Sequence, residues 1–202
     1  MIVLMRHAHT DSGKGRCIGR TPVSLSLKGK EQAAEVAESL RDLKFSRLCV
    51  SPSERAMDTL SPLAATLSME PAIVPALDEI NMGKWDGLSF FDIKEAYPEA
   101  YEARGSQFGD FRPPGGESFN DVADRSLSIL FQLAREEQPI FAVTHAGVIR
   151  SVLCRVTDHP MDDLFHYSPG HVRCTVLAPK EGGLELVATD VAPSDLAAIL
   201  TP

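Results

Sequence analysis

An α/β fold with a mostly parallel sheet is predicted by three observations in this sequence. Two short apolar runs, Ile2–Met5 and Ile140–Val143, have the continuous hydrophobic pattern of strands buried on both faces. Each run ends abruptly in a histidine, His7 after Arg6 and His145 after Thr144. Strand-like and helix-like segments alternate along all 202 residues with no linker between them, so a single domain spanning 1–202 is expected.

The elements follow in order. Ile2–Met5 is the first strand, and Asp11 to Val23 is a charged, Gly-rich loop carrying Lys14, Arg16 and Arg20. A long irregular segment directly after a strand-end histidine is placed to be an active-site loop. Ala33, Val36, Ala37, Leu40 and Leu43 recur at helical spacing, with Ser26 as N-cap. Leu48 to Val50 is the second strand. Ser51-Pro52-Ser53-Glu54-Arg55 then has the pattern of a helix start, with Ser51 capping, Pro52 at the first helical position and Glu54 closing a capping box. Arg55 falls in the first turn, and Pro62 is expected to kink the helix further on.

Ala72 to Leu77 is expected as a third strand leading to Asp78 and Glu79, with tight turns at Gly83 and Gly87 around the single tryptophan, Trp85. Ser89 to Tyr97 predicts a short helix stopped by Pro98, and Glu99 to Arg112 is polar enough to be an irregular insertion. Ser118 with Asp121 is a second capping box, heading a helix with Phe119, Val122, Ala123, Leu130 and Leu133 on one side. Ile140–Val143 is the fourth strand, Val148 to Val156 a helix, Met161 to His166 a helical turn, and Cys174 to Ala178 with Leu184 to Ala188 two last strands. His159, His166 and His171 are expected in surface or structural roles, and the tail from Pro193 as a weak helix.

Composition narrows the function classes. A formal charge of −8 argues against a general nucleic-acid or membrane-surface partner, and no apolar run has the length of a membrane span. Cys17, Cys49, Cys154 and Cys174 are scattered without a C-x-x-C pair, the usage of reduced thiols in a cytoplasmic protein, and no signal peptide is expected. The functional signal lies in the strand ends. Ligands in open α/β sheets gather at the carboxyl ends of strands, and Arg6, His7, Arg55 and His145 all fall there. Permanently charged guanidinium forks beside imidazoles suit a phosphate. Glu79, also at a strand end, is a candidate proton donor, with an exposed loop carboxylate or a helix-capping one as the competing readings.

Taken in order, Leu4-Met5-Arg6-His7-Ala8, Leu25-Ser26-Leu27-Lys28-Gly29, Ser51-Pro52 with Arg55-Ala56 and Thr59, Leu77-Asp78-Glu79 with Gly83-Lys84-Trp85-Asp86-Gly87, Pro114 to Ser118, and Val143 to Arg150 resemble the blocks of the histidine phosphatase superfamily. The resemblance covers nearly the whole chain. It implies a phosphoglycerate mutase-like three-layer sandwich: a mostly parallel sheet flanked by helices. It implies that His7 is the nucleophile, that Arg6, Arg55 and His145 surround the phosphate, and that Glu79 protonates the leaving oxygen, with no metal or other cofactor. Ala8, His9 and Gly13 depart from residues common in the family.

The segment from Gly15 to Thr21, with Asp163 to Phe165, resembles α-ribazole phosphatases in particular, and Arg20 and Thr21 are expected to touch substrate. The implied partner is a small phosphorylated metabolite, with α-ribazole 5′-phosphate the leading candidate, and the implied assembly a monomer or homodimer. Three alternatives stand beside this reading. One is phosphoryl transfer of the phosphoglycerate mutase type. Another is a metal-dependent hydrolase using the His7-x-His9 pair with Asp11, for which Ser12 stands where a further histidine would be wanted. The last is a non-catalytic phospholigand-binding protein.

Overall fold

The computed structural model describes residues 1–11 and 15–200; the expectations placed on Ser12, Gly13 and Lys14 lie outside the described residues. The strands are β1 (Ile2–Arg6), β2 (Arg47–Val50), β3 (Ala72–Ile73), β4 (Ile140–Thr144), β5 (Cys174–Lys180) and β6 (Gly183–Val191). The helices are α1 (Leu27–Leu40), α2 (Glu54–Leu67), α3 (Phe90–Ala96), α4 (Pro98–Ser106), α5 (Phe119–Leu133), α6 (Ala146–Val156) and α7 (Leu196–Leu200). One six-stranded sheet runs in the order β3-β2-β4-β1-β5-β6. The β3–β2, β2–β4 and β4–β1 pairs are parallel, while β5 runs antiparallel to both β1 and β6. The expected mostly parallel α/β sheet is therefore present, with one reversed strand.

The central strands show why their sequences are apolar without alternation. Ile2 and Leu4 of β1, with Ile140 and Ala142 of β4, join a core with Val122 and Leu130 of α5 and Val148, Ile149 and Val152 of α6. Val3 and Met5, with Phe141 and Val143, join a second core on the other face with Val36 and Leu40 of α1 and Leu60 and Leu63 of α2. Neighbouring side chains point to opposite faces, so a strand covered by helices on both sides must be apolar at every position. Each large aliphatic side chain buried in this way contributes about 1.5–3 kcal/mol relative to exposure.

Register places the functional residues. Arg6 of β1 pairs with Thr144 of β4, and the His7 amide donates to the Thr144 carbonyl at 2.9 Å. On the other edge of β4, Val50 pairs with Val143 and the Ser51 amide donates to the Val143 carbonyl at 3.0 Å. Three adjacent parallel strands thus deliver Ser51, His145 and His7 side by side at their carboxyl ends.

Two of the three predicted caps are present: Ser26 accepts from the Gly29 amide, and Ser118 and Asp121 form a reciprocal capping box. Four expectations need correction. α2 begins at Glu54 with Ser53 as its N-cap, because the Ser51 hydroxyl is taken by His145 and Asp78. That leaves Pro52 outside the helix, although Arg55 stays in the first turn and the helix runs on through Pro62. The third strand is only Ala72–Ile73, and a 3-10 turn fills Pro75–Leu77, where the fixed φ of Pro75 starts the turn. The 99–112 segment is largely helix α4, which has no buried residue; its exposure explains the lack of apolar periodicity. Helix α6 starts two residues before Val148, directly at Ala146.

Gly29 lets α1 approach the end of β1 closely: a Cβ there would sit 2.1 Å from the His9 carbonyl oxygen. Backbone must move to accommodate it. Gly29→Ala is expected to lower stability by about 1–3 kcal/mol in denaturant unfolding. A variant as stable as the parent would contradict this close packing.

Candidate active site

The strand ends open into a cavity of about 480 Å³ lined by Arg6, His7, His9, Arg55, Glu79 and His171, with Thr10, Asp11 and Arg16 further out. His7 is buried, and its Nδ1 donates to the Ala8 carbonyl at 2.8 Å. That bond places the proton on Nδ1 and leaves the Nε2 lone pair as the nucleophilic position. Burial, and then the positive charges of Arg55 and Arg6, bring the His7 pKa down to about 3, so its ring is neutral at neutral pH. Next to it, the Ala8 amide donates to Thr59 Oγ1 at 2.9 Å, and Thr59 donates to the Arg55 carbonyl at 2.6 Å. This chain ties the end of β1 to the first turn of α2.

His145 is fully buried, with its ring centroid 5.3 Å from that of His7. Its Nε2 lies 2.8 Å from Ser51 Oγ, which in turn donates to Asp78 Oδ1 at 3.1 Å. A serine proton committed to Asp78 makes His145 Nε2 the donor to Ser51. His145 Nδ1 is then a buried lone pair with no hydrogen-bond partner among the described residues, and it can serve an anion only by taking up a proton. Burial, followed by Arg55, pushes this imidazole's pKa well down.

The guanidiniums of Arg6 and Arg55 are steered by backbone carbonyls. Arg6 donates to Pro169, and Arg55 to Gly19 and Thr21. Desolvation lowers both pKa values, that of Arg6 to about 10, and both remain charged at neutral pH. Glu79 is buried and accepts from the Ile80 amide at 2.9 Å and the Gly147 amide at 3.2 Å. Burial raises its pKa, partly offset by these amides and by Arg55 and Arg6. Gly147 permits the arrangement, since a Cβ there would lie 2.2 Å from Glu79 Oε1.

Arg6, His7, Arg55, His145 and Glu79, distant in sequence, are thus brought together. Arg20 and Thr21 are not among the residues lining the cavity. The Arg20 and Thr21 amides and the Thr21 hydroxyl donate to Asp86, and Arg20 Nε donates to the Glu79 carbonyl. These bonds fix the loop whose Gly19 and Thr21 carbonyls hold Arg55.

His171, expected in a surface or structural role, lines the cavity: its Nδ1 donates to the His7 carbonyl, and its ring lies 5.4 Å from His7 and 5.3 Å from His9. Sequence alone offered only its position just before β5. Arg125, likewise unforeseen, donates to the Ala76, Asp78 and Glu79 carbonyls from helix α5. For the metal-hydrolase alternative, His7, His9 and Asp11 do not form a three-ligand cluster among the described residues.

Comparison with known proteins identifies the family. The family model for the histidine phosphatase superfamily (branch 1) matches residues 2–191. A metal-independent phosphoserine phosphatase of Arabidopsis thaliana is 37% identical over 162 residues, covering 77% of this chain and 68% of the relative. An adenosylcobalamin/alpha-ribazole phosphatase of Escherichia coli strain K12 is 26% identical over 167 residues, 81% of this chain and 82% of the relative. The solved structure of a mycobacterial glucosyl-3-phosphoglycerate phosphatase superimposes with a TM-score of 0.83 at 26% identity, covering 95% of this chain and 98% of that one. The chain belongs to the histidine phosphatase superfamily, and these relatives are named phosphatases, that is, phosphoric monoester hydrolases.

The buried imidazoles set a pH dependence. His7, His145 and His171 all have pKa values below 6.5, the ordinary histidine value, with His171 at about 4 mainly through burial. Below pH 6.5 the unfolded chain takes up protons that the folded chain does not. Their contribution is complete above that pH and is lost as pH falls, by up to about 1.4 kcal/mol per pH unit for each ring. Denaturant unfolding of the phosphate-free protein at pH 7.5 and pH 5.5 checks this; equal or greater stability at the lower pH would contradict it.

Proposed function

We propose that this chain is a metal-independent phosphomonoesterase that acts through a phosphohistidine intermediate, with residues 1–202 working as one domain. The observation that carries the proposal is the fixed tautomer of His7. Nδ1 is spent on the Ala8 carbonyl, which leaves Nε2 free in a cavity that His7 shares with Arg6 and Arg55, with the His145 ring centroid 5.3 Å from that of His7.

Chemistry follows from the geometry. His7 Nε2 attacks phosphorus and forms the N–P bond as the ester P–O bond breaks. Arg6 and Arg55 neutralise the phosphoryl oxygens, which is most of what phosphoryl transfer requires, and His145 takes up a proton at its free Nδ1 to donate to the bound dianion. Glu79, its pKa raised by burial, gives its proton to the leaving oxygen. Water then attacks the phosphohistidine, the Glu79 carboxylate takes a proton from it, the N–P bond breaks and inorganic phosphate leaves. The covalent intermediate splits one hard displacement into two easier ones.

The substrate is a small phosphorylated metabolite. Asp11, Arg16, Thr10 and His9 on the outer wall suit a hydrophilic leaving group. α-Ribazole 5′-phosphate and phosphoserine are the first compounds to assay, on the resemblance and the relatives' names respectively. The four cysteines are free and buried, which supports a cytoplasmic setting.

Two variants test the assignment. His7→Ala is expected to abolish turnover of p-nitrophenyl phosphate while keeping the parent's circular dichroism; retained turnover would remove His7 as nucleophile. Glu79→Gln is expected to slow first-turnover release of an alkyl alcohol by about 10²–10⁴-fold, the usual worth of a general acid. Release of p-nitrophenol, a far better leaving group, is expected to fall much less. An equal loss on both substrates would exclude Glu79 as proton donor.

A further inference from the structure

The geometry points to a surface site for a zinc-class divalent ion built by His159, Asp163 and His166. Their potential ligand atoms lie within 4.8 Å of one another, the one such three-residue cluster among the described residues. None of the three lines the catalytic cavity.

His159 closes the turn after α6, its amide donating to the Cys154 carbonyl at 2.8 Å. The 3-10 turn Met161–His166 then brings Asp163 and His166 back over it. His159 Nε2 lies 3.0 Å from Asp163 Oδ2, and the two imidazoles stack with centroids 4.5 Å apart and planes 26° from parallel. An ion pair accounts for His159 with Asp163 but not for the second imidazole held over the first. Tyr167 packs against both rings, at 5.5 Å and 5.0 Å, and its hydroxyl is bonded to Thr157 at 2.5 Å, fixing the platform they rest on.

Two imidazoles and one carboxylate prefer zinc, cobalt or nickel over magnesium or calcium, which want oxygen ligands. Tetrahedral zinc with bonds of about 2.0–2.1 Å needs ligand atoms roughly 3.3 Å apart. Rotation of the exposed Asp163 and His166 side chains closes the remaining gap. Three protein ligands leave the fourth position to water.

Zinc titration of the whole chain by calorimetry, repeated with cobalt for its visible spectrum, tests the site. The expected result is one ion per chain at this site. Losing outer-shell support alone typically weakens metal affinity about 10–100-fold, so removing a ligating imidazole in His166→Ala or His159→Ala is expected to weaken it at least about 100-fold. Asp163→Asn is expected to weaken binding as well, and to shift the cobalt bands. Metal-free turnover of these variants should equal the parent's, which shows that they fold. Absence of any binding event, or unchanged binding in His166→Ala because the catalytic histidines hold the ion, would overturn the inference.

Discussion

The parallel pairing of β1 with β4 is the constraint on which the site depends. Arg6 opposite Thr144, and the His7 amide on the Thr144 carbonyl, put two imidazoles at neighbouring strand ends. A slip of one residue would turn every side chain of β1 to the other face and carry His7 away from His145. The register is in turn held by burial, because Ile2 and Leu4 belong to one core and Val3 and Met5 to the other. The hydrophobic pattern that folds the sheet is therefore the same pattern that assembles the chemistry.

What is assembled is electrostatically unbalanced. Two guanidiniums are held by carbonyl oxygens, two buried imidazoles have lowered pKa values, and the one carboxylate in the cavity floor has a raised one. Desolvating cations in this way costs folding free energy. On the proposed function, a tetrahedral anion would meet its counter-charges already oriented, with little reorganisation left for the reaction. The supporting contacts are local and specific: Thr59 between Ala8 and Arg55, Ser51 and Asp78 behind His145, Gly147 against Glu79, and Asp86 gathering the loop that holds Arg55.

Much of this was legible in the sequence because strand ends and helix starts have strong local signatures. The apolar runs before His7 and His145, the Ser26 cap and the Ser118–Asp121 box each depend on residues close together in the chain. The misreadings came where distant groups compete. Ser51 has the form of a helix cap, yet His145 and Asp78, reached only through the sheet, take its hydroxyl. Arg20 and Thr21 have the chemistry of substrate contacts, and their bonds to Asp86 and Glu79 likewise arise only through the fold. His171 carries no signal of its own, because its place beside His7 follows from the reversed strand β5 returning along β1. Helix α4 lacks periodicity because only Ala100 and Tyr101 pack against the core and none of its residues is fully buried.

The central claim is that His7 Nε2 becomes covalently phosphorylated. Rapid quenching of the protein with substrate labelled in its phosphate, followed by peptide mapping, tests it most directly. The account predicts an acid-labile, base-stable label on the peptide that contains His7, formed within the first turnover and discharged as phosphate appears. Multiple-turnover hydrolysis with no label on that peptide at any quench time, or with label on a different residue, would contradict it.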